Sequence, residues 1–165
     1  MSTWINEDGL QVLFALSDGA EVIKNGKASG SIVNTFVHKF DYTDVADTDV
    51  AVPNANESFI PAGAIVTKAW LYVTDAFVGA TAVLDIGLKD ATGANTDDQG
   101  IDAAIAVTAL DAVGDTILCD GVYVIDGDTT GLRLTVDQYV MTTWDTAAFT
   151  AGAATLVVEY LDLEA

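Results

Sequence analysis

Residues 64–74 read AIVTKAWLYVT, and their two-residue alternation decides the fold class. Side chains along a strand point alternately to its two faces. Ile65, Thr67, Ala69, Leu71 and Val73 therefore share one face, and Val66, Lys68, Trp70 and Tyr72 the other. The first face is small and apolar, as a core face should be. The second carries two aromatic rings where the outer face of a sandwich strand ordinarily carries polar groups. Two explanations stand open. Val66, Trp70 and Tyr72 could form a subunit interface, where Trp and Tyr are enriched, or this could be a central strand covered on its second face by the N-terminal segment.

The same period recurs in both directions from this stretch. Leu10, Val12, Phe14 and Leu16 alternate in a first strand, and Ile32, Phe36, His38 and Phe40 oppose Val33, Thr35, Val37 and Lys39 in the next. In TAVLDIGLKD (81–90), Ala82, Leu84, Ile86 and Leu88 oppose Val83, Asp85 and Lys89. GLRLTVD (131–137) alternates through Leu132, Leu134 and Val136, and QYVMTTW (138–144) and ATLVVEYLDL (154–163) supply the last strands. Many short alternating strands separated by Asp- and Gly-rich turns predict an all-β, antiparallel sandwich. Residues 101–113, IDAAIAVTALDAV, place Ile101, Ala104, Ile105 and Thr108 at helical spacing, so one short helix is expected there.

The chain has 165 residues, of which 48 are Leu, Ile, Val or Phe, enough apolar side chain for a packed core. Twenty-five acids against six bases give a net charge of −19. A surface so negative repels phosphate, which argues against nucleic acid and anionic membrane as partners. Every apolar run is broken well before the roughly 18 residues of a membrane span. A single cysteine, Cys119, cannot form an internal disulfide. The opening MSTWINEDGL has neither a basic nor an apolar leader region, so synthesis in a cytoplasm is expected.

The acid is unevenly spread. Residues 1–40 carry four acids and three lysines, whereas residues 41–165 carry 21 acids against Lys68, Lys89 and Arg133. Within one domain this marks residues 1–30 as a near-neutral docking segment and residues 31–165 as an acidic sandwich that faces water.

Groups for chemistry are few. The one histidine, His38, lies between Phe36 and Phe40 on an apolar face, which suits packing better than catalysis. One Cys and one His do not make a zinc site. With 25 acids, some pair at glycosidase spacing is expected by chance, so no catalytic residue is assigned and no cofactor is expected. Calcium is the better use of the carboxylates, and the weak candidates are Asp41, Asp44, Asp47, Asp49, Asp126 and Asp128, with Asp97 and Asp98 nearby in TDDQG. None fits the D-x-[DN]-x-[DN]-G loop, and turn aspartates look the same.

The stretch W-I-N-E-D-G-L-Q-V-L-F at residues 4–14 resembles the N-terminal W-x-N-x-D-G-L-x-V-x-F element of small virion proteins of tailed bacteriophages, abundant in phages of marine bacteria. The similarity continues in F-I-P-A-G-A-I-V-T-K-A (59–69), V-L-D-I-G-L (83–88), A-V-G-D (112–115) and F-T-A-G-A-A-T-L-V-V-E-Y (149–160). Ala15 stands where such proteins commonly have Gly, and the terminal strand, often basic among them, ends here in Leu161-Asp162-Leu163-Glu164-Ala165. The resemblance implies a jelly-roll-like sandwich with an N-terminal arm. It implies a non-enzymatic decoration or cement protein on the outer capsid surface, with the major capsid protein as partner and a homotrimer favoured at local three-fold positions. The shell-facing anchors expected are Trp4, Leu10, Val12 and Phe14. Two other functions are weighed beside it: a head fibre, knob or tail component stacking Trp144, Tyr123 or Trp70 on host glycans, and a calcium-dependent adhesion module.

Overall fold

The computed structural model describes residues 33–49, 51–53, 58–125 and 132–162, with the backbone of two further strands near the N-terminus. Chain contacts divide it into two units, residues 1–31 with 165 and residues 32–164. In the first unit, β1 (Ser2–Ile5) pairs antiparallel with β2 (Gln11–Phe14). The register sets Trp4 opposite Val12 and Ser2 opposite Phe14.

The second unit is an antiparallel β-sandwich. Its strands are β3 (Val33–Asp41), β4 (Ala64–Val78), β5 (Val83–Lys89), β6 (Asn95–Ala106), β7 (Thr116–Cys119), β8 (Tyr139–Asp145) and β9 (Ala151–Asp162). Four of them form one sheet in the order β3-β9-β4-β7, and three form the other in the order β6-β5-β8. Phe36, Phe40, Leu71, Val73, Leu156 and Val158 of the first sheet join Leu84, Ile86, Leu88 and Val140 of the second in one buried cluster. These seven strands make a sandwich; a jelly roll, which has eight, is a narrower description.

Alternation places the core residues well, with one instructive failure. In β4, Val66 pairs with Tyr160 but the next paired residue, Lys68, meets Glu159, so Thr67 is an extra residue whose hydroxyl donates to the Glu159 carbonyl at 3.1 Å. Such a bulge shifts the two-residue phase. Ala64 and Val66 point inward before it, and Ala69, Leu71 and Val73 after it. Ile65 and Thr67 are therefore not on the Leu71 face, and Val66 is a core residue with no exposed surface.

Residues 101–106 are not helical. They continue β6, followed by a single 3-10 turn at Val107–Ala109. Pairing with β5 wins over the local helical spacing because two irregularities let β6 keep both isoleucines inside. Ile86 meets Asp102 and Leu84 meets Ile105, so β6 spends an extra residue there, with Ala104 in the left-handed region at φ 57°. Leu88 meets Asp97, so residues 98–101 form a longer excursion across β5. Ile101 and Ile105 are both buried.

The described residues of GLRLTVD, 132–137, form no strand of their own. Leu134 makes two backbone bonds to the start of β4, at Gly63 and Ala64, and is buried, while Leu132 and Val136 are exposed. TILC at residues 116–119, which carries no turn-bounded alternation long enough to notice, becomes the edge strand β7.

Candidate interface on the four-stranded sheet

The outward face of the four-stranded sheet is built by cross-strand register. Phe36, Val158, Ala69 and Cys119 stand in one inward row, so the residues between them point away from the core. Val37 pairs with Val157, Val157 with Trp70, and Trp70 with Leu118, giving an apolar row across all four strands. Val37 is 51% exposed and Leu118 62%. The row on one side is Thr35, Glu159 and Lys68, and the row on the other is Lys39, Thr155, Tyr72 and Thr116. Beyond Thr35, Val33, Leu161 and Ile65 form a further apolar row. Lys68 lays its ammonium 5.7 Å from the Trp70 ring centroid, a cation–π contact that orders both side chains.

Charge is arranged differently here from the rest of the sandwich. The basic residues among those described are Lys39, Lys68, Lys89 and Arg133. Lys89 is buried, and its ammonium is 2.8 Å from Asp49. The exposed ones are Lys39 and Lys68 on this face, and Arg133, whose segment bridges to Ile65 at the end of β4. Glu159 is the one acid in the four rows, with Asp41 and Asp75 at the rim beside Ala153. This apolar face holds Lys39 and Lys68 beside Glu159, with Asp41 and Asp75 only at its rim, so on a chain of charge −19 it is a place where another surface can approach without meeting most of the acid.

Trp70 and Tyr72 lie within this face, half-buried and exposed respectively. Val66 lies in the core and leaves the interface set. Leu10 and the side chains of Trp4, Val12 and Phe14 fall outside the described residues. Periodicity had put Val33, Thr35, Val37 and Lys39 together on β3; what it missed was their alignment with Val157 and Leu118, because register is a long-range property. That β9 is apolar on both faces, as in A-T-L-V-V, was the available signal.

His38, Trp144 and Tyr123 do not join this face. His38 faces inward, stacked between Phe36 at 6.3 Å and Phe40 at 5.9 Å between ring centroids. Trp144, on the other sheet, packs against the core, as does Tyr123.

The aspartates serve mainly as turn builders. Asp41 Oδ1 accepts from the Thr43 hydroxyl and amide, and Asp44 Oδ2 accepts from the Asp41 amide. The Thr43 hydroxyl and amide hold the Asp41 carboxyl below its ordinary range. Asp49 is committed to Lys89, Asp47 is exposed, and Asp126 and Asp128 fall outside the described residues. Among the described residues, no three His, Cys, Asp or Glu side chains converge on a point that could hold a metal ion.

One acidic group is held in an unfavourable place. Asp102 is buried, accepts from the Ala103 amide at 2.7 Å, and has Asp120 and Asp85 nearby. Burial first, then the two carboxylates, push its pKa up. Burial also pushes the neighbouring Cys119 thiol up, with Asp102 and Asp120 adding to it, so the sulfur is a protonated core group and not a nucleophile. A raised folded-state pKa means that protonation favours folding: this contribution is full below the unfolded-state value and lost as pH rises through the folded one. Asp102→Asn is accordingly expected to raise the melting temperature at neutral pH. The gain should shrink as pH falls toward the ordinary carboxylate range of about 4, because the raised pKa makes the wild-type carboxyl take up its proton before that range is reached. Melting curves across that range check it; a gain independent of pH would contradict it.

No family model and no curated protein sequence matches the chain. Among solved structures it is similar to a chain of the acidic stable capsid of Helicobacter pylori bacteriophage KHP30, with 16% identity, TM-score 0.47, and 77% of this chain and 86% of that one covered. A chain of the capsid of Ralstonia phage GP4 is similar at 17% identity and TM-score 0.46, covering 80% and 86%. A chain of the cyanophage Pam1 capsid asymmetric unit is similar at 19% identity and TM-score 0.45, covering 91% and 92%.

Proposed function

We propose that this chain is a non-enzymatic structural protein of a tailed-phage virion, a decoration or cement protein that binds the outer head surface and contacts the major capsid protein through its N-terminal segment. What supports this is the ordered series of stretches resembling such proteins, the last four of which coincide with described structural elements. FIPAGAIVTKA leads through the bridge of Ile60 to Gln138 and the Gly63 turn into β4. VLDIGL is most of β5, AVGD is the turn ahead of β7, and FTAGAATLVVEY runs into β9. Shared elements of this kind preserve a scaffold, and a cement protein needs a scaffold and two contact surfaces, with no reacting groups.

The charge distribution supports the same orientation. The near-neutral first forty residues approach the shell, and the acidic sandwich faces solvent, where mutual repulsion keeps particles dispersed. Trp4, Leu10, Val12 and Phe14 are the anchors of the shell contact. Particles assembled with a chain lacking residues 1–16 are expected to lose the protein from the head. Full occupancy of such particles by the shortened chain would overturn the proposal. A glycan-binding fibre is less well supported, because Trp144 and Tyr123 are packed against the core and lie apart from the Trp70 face.

A further inference from the structure

We propose that the outward face of the four-stranded sheet is a self-association surface through which two copies of this chain pair about a twofold axis. The pairing is a property of the sandwich and does not depend on a shell. The strand order β3-β9-β4-β7 sets β9 and β4 at the centre, so an axis parallel to the strands can pass between them. Rotation about such an axis, lying between two sheets stacked face to face, keeps each cross-strand row at its own level and reverses the strand order. β9 of one copy then faces β4 of the other, and β3 faces β7.

The residues in register match under that operation. Val157 comes opposite the second copy's Trp70, and Val37 opposite its Leu118, so the apolar row closes on itself. In the neighbouring row Glu159 comes opposite the second copy's Lys68, and Lys68 opposite its Glu159, giving two reciprocal ion pairs. Lys39 comes opposite Thr116, so no like charges meet within these rows. This is the self-complementarity that a twofold contact requires. It also leaves the acid of both copies on the outside. A head-to-tail contact would press the apolar row against an acidic surface, burying carboxylates without apolar partners. The twofold pair and the three-fold set that the resemblance implies differ in mass, which the test below reads.

The size of the face sets the strength. Four strands about 4.8 Å apart and seven residues of β3 at about 3.3 Å each give roughly 450 Å² per copy. The pair then buries about 900 Å², just below the roughly 1,000 Å² of a stable interface. A dimer that dissociates on dilution follows.

The test is sedimentation or light scattering of the full chain from about 1 to about 500 µM. The mass is expected to rise from 17.2 kDa toward twice that value. Leu118→Glu and Trp70→Glu should each weaken pairing at least about tenfold, with unchanged melting of Leu118→Glu showing that the fold persists. Lys68→Glu alone and Glu159→Lys alone should each pair more weakly than wild type. An equimolar mixture of the two should pair again, since each then faces its opposite charge. A mass of one copy at every concentration would overturn the proposal. So would a three-copy mass, an association indifferent to Leu118→Glu, or a mixture no tighter than its components.

Discussion

Asp49→Ala is expected to lower the unfolding free energy by about 3–5 kcal/mol, the range for removing one partner of a buried ion pair. Lys89 sits on β5, a strand buried on both faces, and its side chain is only 5% exposed. Its ammonium is 2.8 Å from Asp49, which arrives from the connection between β3 and β4. Among the described residues Asp49 is the ion-pair partner of Lys89, so removing it leaves a buried cation without that counter-charge. For a domain of this size the loss corresponds to a drop of roughly 6–20 °C in melting temperature. The double variant Asp49→Ala with Lys89→Met should recover much of it, because an apolar side chain of similar length needs no counter-charge. Thermal and denaturant unfolding of both variants provide the measurement. An unchanged midpoint for Asp49→Ala would show that the pair contributes nothing, and failure of the double variant to recover would assign the loss to packing around residue 49.

Gly87→Ala should be comparably damaging for a steric reason. A Cβ at Gly87 would lie 2.3 Å from the Asp97 carbonyl oxygen and 2.4 Å from the Asp98 Cα and carbonyl carbon. These are backbone atoms of the excursion that β6 makes across β5, and no rotamer change relieves them. The excursion must lift, which disturbs the bonds that Asp85 accepts from the Gln99 side chain at 3.3 Å and the Ala104 amide at 2.7 Å. A loss of about 3 kcal/mol or more is expected, at or above the upper end for overpacking. Gly114→Ala is the control: its φ is +98°, but a Cβ there meets nothing within 4 Å. Only backbone strain remains at that position, with a cost nearer 1 kcal/mol. Equal melting temperatures for the two variants would contradict the crossing at Gly87.

The contrast between these sites explains how much was legible in the sequence. Period-two alternation is local, and it set Phe36 with Phe40, and Leu84 with Ile86 and Leu88, on faces that the structure buries. It failed where the partner strand dictated the phase. The bulge at Thr67 moved Val66 inward, and the excursion over Gly87 drew residues 101–106 into a strand despite helical spacing. Asp49 looked like one more turn acid because its partner lies 40 residues away. The interface face was half legible: Trp70 and Tyr72 stood out as aromatics on an outer face, while the row that joins Trp70 to Val37, Val157 and Leu118, with Tyr72 in the row beside it, exists only once register is fixed.

The virion assignment is tested most directly by a cryo-microscopy reconstruction of the native particle. The sandwich is expected as density repeated across the outer head lattice in hundreds of copies, with the N-terminal segment against the shell. Its presence only at a tail, portal or fibre, or in a handful of copies, would contradict a decoration protein, and its absence from the particle would contradict a virion protein altogether.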